Sequence, residues 1–395
     1  MKPPFKLTRF LLSSLILAAA STLCGGEEVS SIEKNLRANS NVDDKPAGPF
    51  TIEERMHELI VPGVSVAIVK DRELVYAKGF GIANSLSGTQ VTTETLFQAG
   101  SISKPLAALA ALKLVDQGKV DLDTGVNEYL KEWKVPENKF TKNEKVTLRR
   151  LLTHTAGLTV HGFPGYKPDA KFPSTIDVLD GKGNTAPIRV DTVPGSTLRY
   201  SGGGYTVMQL LIKDVSGMDL AEFMDQYVFP EIGMTRSTYQ QPLSGDFVDS
   251  ASGAYNRKGK LIKGVWHNYP ETAAAGLWTT PTDLAKYCIH IQNIYNGKAE
   301  GVLSSERVEA MLTPDKRSWG LGPRLSGKGD SLQFMHGGKN AGFTNNMTAF
   351  ADGRGAVIVM TNGDNGGRLA NEIIRAVFTF YDWNRKEQKP NRETR

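Results

Sequence analysis

The sequence predicts an α/β (α+β) domain: an antiparallel sheet built from both chain ends, flanked by helices, with a mostly helical domain inserted between them. Two β-rich runs, Val64 to Val69 and Leu74 to Phe80, stand near the N-terminus around Lys70-Asp71-Arg72-Glu73, as expected of a hairpin. A second pair, Asn346 to Ala351 and Ala356 to Thr361, stands near the C-terminus around Asp352-Gly353-Arg354-Gly355. Between the pairs the apolar spacing is helical, at Leu148 to Leu152, Tyr205 to Val215, Leu220 to Val228 and Thr282 to Tyr295.

In chain order, Lys2, Lys6 and Arg9 precede an apolar run from Phe10 to Ala20 that ends in three alanines. This is the pattern of a secretion signal, 1–20, and it predicts a secreted or periplasmic protein. The run is too short to span a bilayer, so no stable membrane span is expected once it is removed. Cys24 raises a lipid anchor as a weaker reading, since Leu23 occupies the place where a small residue is wanted. Residues 21–49 are polar and read as a linker. Thr51-Ile52-Glu53-Glu54 carries a capping box that opens a helix to about Ile60, ended by Pro62-Gly63. The sheet part is expected at 50–105 and 300–383, the helical insert at about 106–299, and a final helix from Arg368 to about Tyr381. Residues 384–395 read as a solvated basic tail. The stretch from Val160 to Ser196, rich in Gly and Pro, is long enough to rim a binding site.

Composition narrows the function. The formal net charge is +5, and removing the three signal cations leaves +2, which gives no reason to expect nucleic acid or an anionic membrane as a partner. Two cysteines, Cys24 and Cys288, cannot make a disulfide framework, and Cys288 in an apolar helical run reads as a packed residue. The six histidines lack metal-ligand spacing, so neither metal nor cofactor is expected.

The chemistry concentrates at Ser101-Ile102-Ser103-Lys104. Residues at i and i+3 are neighbours on a helix, so the hydroxyl and the amine share a face, and a neutral amine there can take the serine's proton. Ser31-Ile32-Glu33-Lys34 fits the same spacing, but it lies in a polar run. Ser101, by contrast, precedes Pro105 and an alanine- and leucine-rich body ending before Gly118, the signature of a buried helix. An acyl-transfer site also needs a proton relay and donors for the developing oxyanion. Tyr200, before the glycines 202–204, is the candidate relay. His336-Gly337-Gly338-Lys339 is the candidate edge-strand and substrate-binding segment, with the N–H groups of Ser101 and Lys339 as oxyanion donors. His154, near a helix end, is expected to be structural, its imidazole bonded to backbone carbonyls.

Taken in order, Phe97 to Pro105, Leu151-Leu152-Thr153-His154-Thr155-Ala156-Gly157-Leu158, Tyr200-Ser201-Gly202, Ala275 to Leu284 and His336-Gly337-Gly338 with Gly342-Phe343 resemble the class C β-lactamase-related serine hydrolases. That group includes class C β-lactamases, penicillin-binding DD-peptidases, D-aminopeptidases and family VIII carboxylesterases. The resemblance covers roughly 50–383. It implies an acyl-enzyme on Ser101, paired base roles for Lys104 and Tyr200, and a small ester, amide or β-lactam substrate. Two departures bear on the substrate. Gly202 stands where a Tyr-x-Asn motif has its amide, and His336 and Gly337 stand where Lys-Thr-Gly has a cation and a hydroxyl. A lost charge-assisted bond costs about 1.5 to 3 kcal/mol, so the expectation is a carboxylesterase-like hydrolase ahead of a β-lactamase or DD-peptidase, with a non-turnover binding protein as the reading of another class.

Overall fold

The structure is a computed structural model that describes residues 31–38, 48–316 and 318–383. The expected signal segment, Cys24 and the basic tail lie outside the described residues. Helix α1 (Ile52–Leu59) starts as the capping box requires: Glu54 N–H donates to Thr51 Oγ1 at 3.0 Å and Thr51 N–H to Glu54 Oε2 at 2.7 Å. Strands β1 (Gly63–Lys70) and β2 (Glu73–Asn84) follow. Asp71 and Arg72 between them both have positive φ, 51° and 65°, the twist that a two-residue hairpin loop needs to match its strands.

The remaining strands are β3 (Thr89–Gln90), β4 (Phe97–Gln98), β5 (Trp278–Thr279), β6 (Arg324–Ser326), β7 (Gln333–Asn340), β8 (Phe343–Phe350) and β9 (Gly355–Thr361). Seven of the nine form one antiparallel sheet in the order β3-β2-β1-β9-β8-β7-β6, while β4 and β5 make a short ribbon beside it. The two chain ends therefore meet inside the sheet, where Val64 opposes Thr361 and Lys70 opposes Gly355. Alternation sends Val64, Val66 and Ile68 to one face and Ala67 and Val69 to the other. Both faces are covered, which is why β1 is buried without a break from Gly63 to Val69, Ser65 included.

Helix α2 (Ser103–Asp116) lies in the larger core, buried from Ser103 through Leu112. Its alanines let other elements approach closely. After it come α3 (Leu148–Leu152), α4 (Thr175–Leu179), α5 (Gly202–Ser216), α6 (Leu220–Tyr227), α7 (Phe229–Ile232), α8 (Thr272–Ala275), α9 (Pro281–Tyr295), α10 (Ser305–Met311) and α11 (Gly366–Phe380). The last of these packs with α1 over the Val64 face.

Three expectations need correction. The segment read as a linker is partly docked: Ile32 and Leu36 are buried against the α1 and α11 layer, and Leu36 and Phe50 exchange backbone hydrogen bonds at 2.9 Å. Two isolated apolar residues carry too little period to show in sequence. Ser101 is not in the α-helix itself but in a 3-10 turn, Gly100–Ile102, that leads into α2. The long loop after Val160 holds the short helix α4, capped by Ser174. Among the described residues, no helix is long and apolar enough to cross a membrane.

Candidate functional site

The 3-10 turn presents Ser101 because Gly100 takes φ +57°, and its own close packing excludes a side chain: a Cβ there would stand 2.5 Å from Lys339 N. One turn later Lys104 points back beneath the serine, with Nζ 3.2 Å from Ser101 Oγ and 2.7 Å from the Ala274 carbonyl oxygen. The amine is 2% exposed and has no acidic partner in bonding range, so burial alone pulls its pKa down from 10.5 to about 7. A buried lysine beside a carboxylate would do the opposite. A carbonyl partner leaves the nitrogen lone pair available to the Ser101 hydroxyl.

Tyr200 reaches the same point from the start of α5. Its ring lies 4.9 Å from Lys104 Nζ, and its buried hydroxyl oxygen makes no closed hydrogen bond. Burial pushes the phenol pKa up, and the nearby Ser101 hydroxyl opposes this only in part. Near neutral pH, therefore, the phenol keeps its proton while the amine is partly neutral.

Strand β7 closes the third side. Asn340 opposes Phe343 across the two-residue loop Ala341-Gly342. From that closing pair, antiparallel alternation turns the N–H of Lys339 away from β8 and toward the serine turn. Gly338 lies so near Ala99 that a Cβ would meet its carbonyl oxygen at 1.9 Å. Asn340 anchors the strand, donating to Gln98 Oε1 at 2.8 Å and to Ala275 O at 3.0 Å. Gly337, in contrast, faces open space, its absent Cβ finding only Asn345 O at 3.8 Å. His336 is buried; burial first, then the Lys104 charge, pull its pKa down from 6.5 to about 3. Its ring centroid lies 6.1 Å from that of Tyr200.

Ser101, Lys104 and Tyr200 line a cavity of about 620 Å³ with Lys339, Asn340 and the loop segment His161 to Pro164. The structure places Ser101, Lys104, Tyr200 and Lys339 on one cavity wall, with the long loop as part of its rim, whereas Gly338 packs against Ala99, His336 sits beside the Tyr200 ring and Gly337 does not line the cavity. The same loop accounts for Gly202: a Cβ there would sit 3.0 Å from Phe163 and 3.1 Å from the His161 carbonyl oxygen, so the loop fills the space into which an asparagine would project.

Several contributors escaped the sequence reading. Ala274, whose carbonyl holds Lys104, directly precedes the recognised Ala275-Gly276-Leu277 run, and a backbone acceptor carries no residue-type signal. Trp319 packs edge-on to His336 at 5.8 Å and Tyr200 at 5.7 Å from an irregular segment. His154 departs from expectation in its partner: Nδ1 accepts from the Ser201 N–H at 3.2 Å instead of donating to a carbonyl.

The chain is similar to known proteins over most of its length. The family model described as Beta-lactamase matches residues 51–379. A protein of Escherichia coli O157:H7 named "Putative D-alanyl-D-alanine carboxypeptidase" is 26% identical over 309 residues, 67% of this chain and 68% of that one. The octameric penicillin-binding protein homologue from Pyrococcus abyssi superposes with TM-score 0.68 at 26% identity, over 83% of this chain and 76% of that chain. The D-alanine carboxypeptidase AmpC from Burkholderia cenocepacia shares the fold with TM-score 0.65 at 19% identity, over 89% and 99% of the two chains.

Proposed function

From the premise that this chain belongs to the beta-lactamase family of serine hydrolases, we propose that it cleaves small esters or amides through an acyl-enzyme on Ser101. One observation carries the reading: a buried amine of pKa about 7 within 3.2 Å of a serine oxygen on the wall of an open cavity. In the proposed reaction Ser101 Oγ bonds to the acyl carbon as its proton passes to Lys104 Nζ. The negative charge on the former carbonyl oxygen falls between the Ser101 and Lys339 N–H groups. Tyr200, a neutral phenol here, gives its proton to the leaving oxygen or nitrogen and recovers one from Lys104. Water then bonds to the acyl carbon as its proton passes to Lys104 Nζ, the bond from that carbon to Ser101 Oγ breaks as Lys104 returns the proton to that oxygen, and the acid is released.

The open face at Gly337 and the loop over Gly202 support an ester or simple amide as substrate, since neither supplies the side-chain groups expected to hold a peptide. Lys339 favours a second reading. It is an exposed cation at the cavity wall beside the proposed oxyanion site, suited to the free carboxylate of a peptide substrate, and the carboxypeptidase named above is consistent with such a role.

The test is kcat/KM for a p-nitrophenyl ester, a D-alanyl peptide and a cephalosporin, each with wild type, Ser101→Ala and Lys339→Ala. Turnover of the ester that Ser101→Ala abolishes supports the acyl-enzyme, and turnover that survives that substitution rejects it. A loss of about tenfold to a hundredfold confined to the peptide in Lys339→Ala selects the second reading, because a charge-assisted bond contributes about 1.5 to 3 kcal/mol.

A further inference from the structure

His154 follows the last turn of α3 at the position where helices commonly take a left-handed residue, usually glycine. It adopts φ +57° while carrying an imidazole, and Thr155 N–H closes the turn onto Arg150 O at 2.9 Å. A side chain kept where glycine is the easier choice marks a position at which the surroundings need that side chain. What it does is visible on both flanks of Tyr200. Arg199 N–H donates to the His154 carbonyl oxygen at 2.8 Å, and Ser201 N–H donates to His154 Nδ1 at 3.2 Å. Between these two bonds the Tyr200 ring lies over the imidazole, 4.2 Å between centroids and 35° between planes. Trp319 meets the imidazole edge-on at 4.8 Å.

We infer that His154 is the positioning residue that fixes the Tyr200 phenol over Ser101, by accepting the Ser201 N–H on Nδ1 and stacking beneath the ring. The inference rests on the acyl-enzyme reading above. It requires one form of the imidazole: an amide donor at Nδ1 demands a lone pair there, so the proton of the neutral ring sits on Nε2. That nitrogen is buried and has no hydrogen-bond partner. Burial, followed by the charge of Lys104, holds the ring neutral, consistent with the geometry.

The experiment exploits the leaving group. A p-nitrophenolate departs without a proton, whereas an alkoxide needs one, so displacing the proton donor harms alkyl esters selectively. His154→Gly suits the left-handed backbone but lacks both the acceptor and the ring. His154→Asn also suits it and offers Oδ1 in place of Nδ1. For an ethyl ester, His154→Gly is expected to lose about tenfold to a hundredfold in kcat/KM, which reports the acylation step, since small misplacements at a reacting centre cost that much. For the p-nitrophenyl ester of the same acid the loss is less than about threefold, and His154→Asn recovers most of the ethyl-ester rate. Equal losses on both esters, or no gain from asparagine over glycine, overturn the proposal. Nitrogen-15 NMR of the wild-type imidazole at neutral pH tests it without any variant: Nδ1 must be unprotonated and Nε2 protonated, and the opposite tautomer or an imidazolium overturns it. Activity surviving Ser101→Ala rejects the underlying reading instead, and the tautomer measurement still judges the clamp.

Discussion

At the residue scale, the chemistry depends on what burial does to two ionisable groups. Lys104 has its pKa lowered to about 7 by desolvation. Acylation should therefore rise with pH through about 7 as the amine loses its proton, with a slope of one in a plot of log kcat/KM. Lys104→Arg should lose the reaction at every pH, because guanidinium does not deprotonate. A pH profile unchanged through that range would remove Lys104 as the base. The stability linkage has a definite sign: a lysine whose folded pKa lies below its unfolded value contributes stability that is present above about 10.5 and lost as pH falls through about 7. Glu271 has the opposite sign. It is 0% exposed, neither carboxylate oxygen has a hydrogen-bond partner, and burial raises its pKa to about 8. Its contribution is full below about 4.5 and lost as pH rises through about 8. Glu271→Gln should then leave Tm nearly unchanged at pH 4 and raise it by several degrees at pH 9. A uniform shift at both pH values would contradict this. The Ser101–Lys104 pairing was legible in the sequence because the i, i+3 spacing stands at the entrance to an apolar, alanine-rich helix, a context the same spacing at Ser31 lacks. The pKa shifts were not, since they come from groups that pack around the amine from distant segments.

At the element scale, one buried ion pair joins the first and last helices. Arg55 of α1 meets Glu372 of α11 through two bonds of 2.7 Å, with side chains 1% and 0% exposed. Glu372 also lies 3.6 Å from Arg368 on its own helix, which offers partial compensation. Arg55→Met should cost about 3 kcal/mol by leaving a buried carboxylate short of its main partner, and Arg55→Met with Glu372→Met should recover most of it. Chemical denaturation of the three variants checks this, and a double variant no more stable than the single one would refute it. Helix boundaries were largely readable: the capping box before α1, Pro281 at the start of α9 and the glycines opening α5 each act within one turn of chain. The docked residues 31–38 and the strand β7 were harder. Gly337 and Gly338 have no β-propensity, and their place in the sheet comes from pairing with β8 and from the closeness of Gly338 to Ala99.

At the scale of the whole molecule, β1 sits between β2, its hairpin partner, and β9, which follows it by nearly three hundred residues. A sheet closed by so distant a pairing cannot form from either end alone. Truncation after Ala351 would remove β9 and α11, leaving β1 and β8 with exposed edges and the Val64 face uncovered. Such a chain should lack cooperative unfolding and protease resistance, while a native-like melt would show that the N-terminal portion folds independently.

By itself, the sequence determined the antiparallel sheet from both ends, the helical middle and the candidate set Ser101, Lys104, Tyr200 and His336 to Lys339, because local spacing and ordered motifs act over a few residues. Only the tertiary structure decided that Lys104 is buried against a carbonyl with no acid to hold its proton, that His161 to Phe163 occupy the space over Gly202, and that His154 brackets Tyr200. Those are effects of desolvation and close approach, and both depend on which distant segments the completed fold brings together.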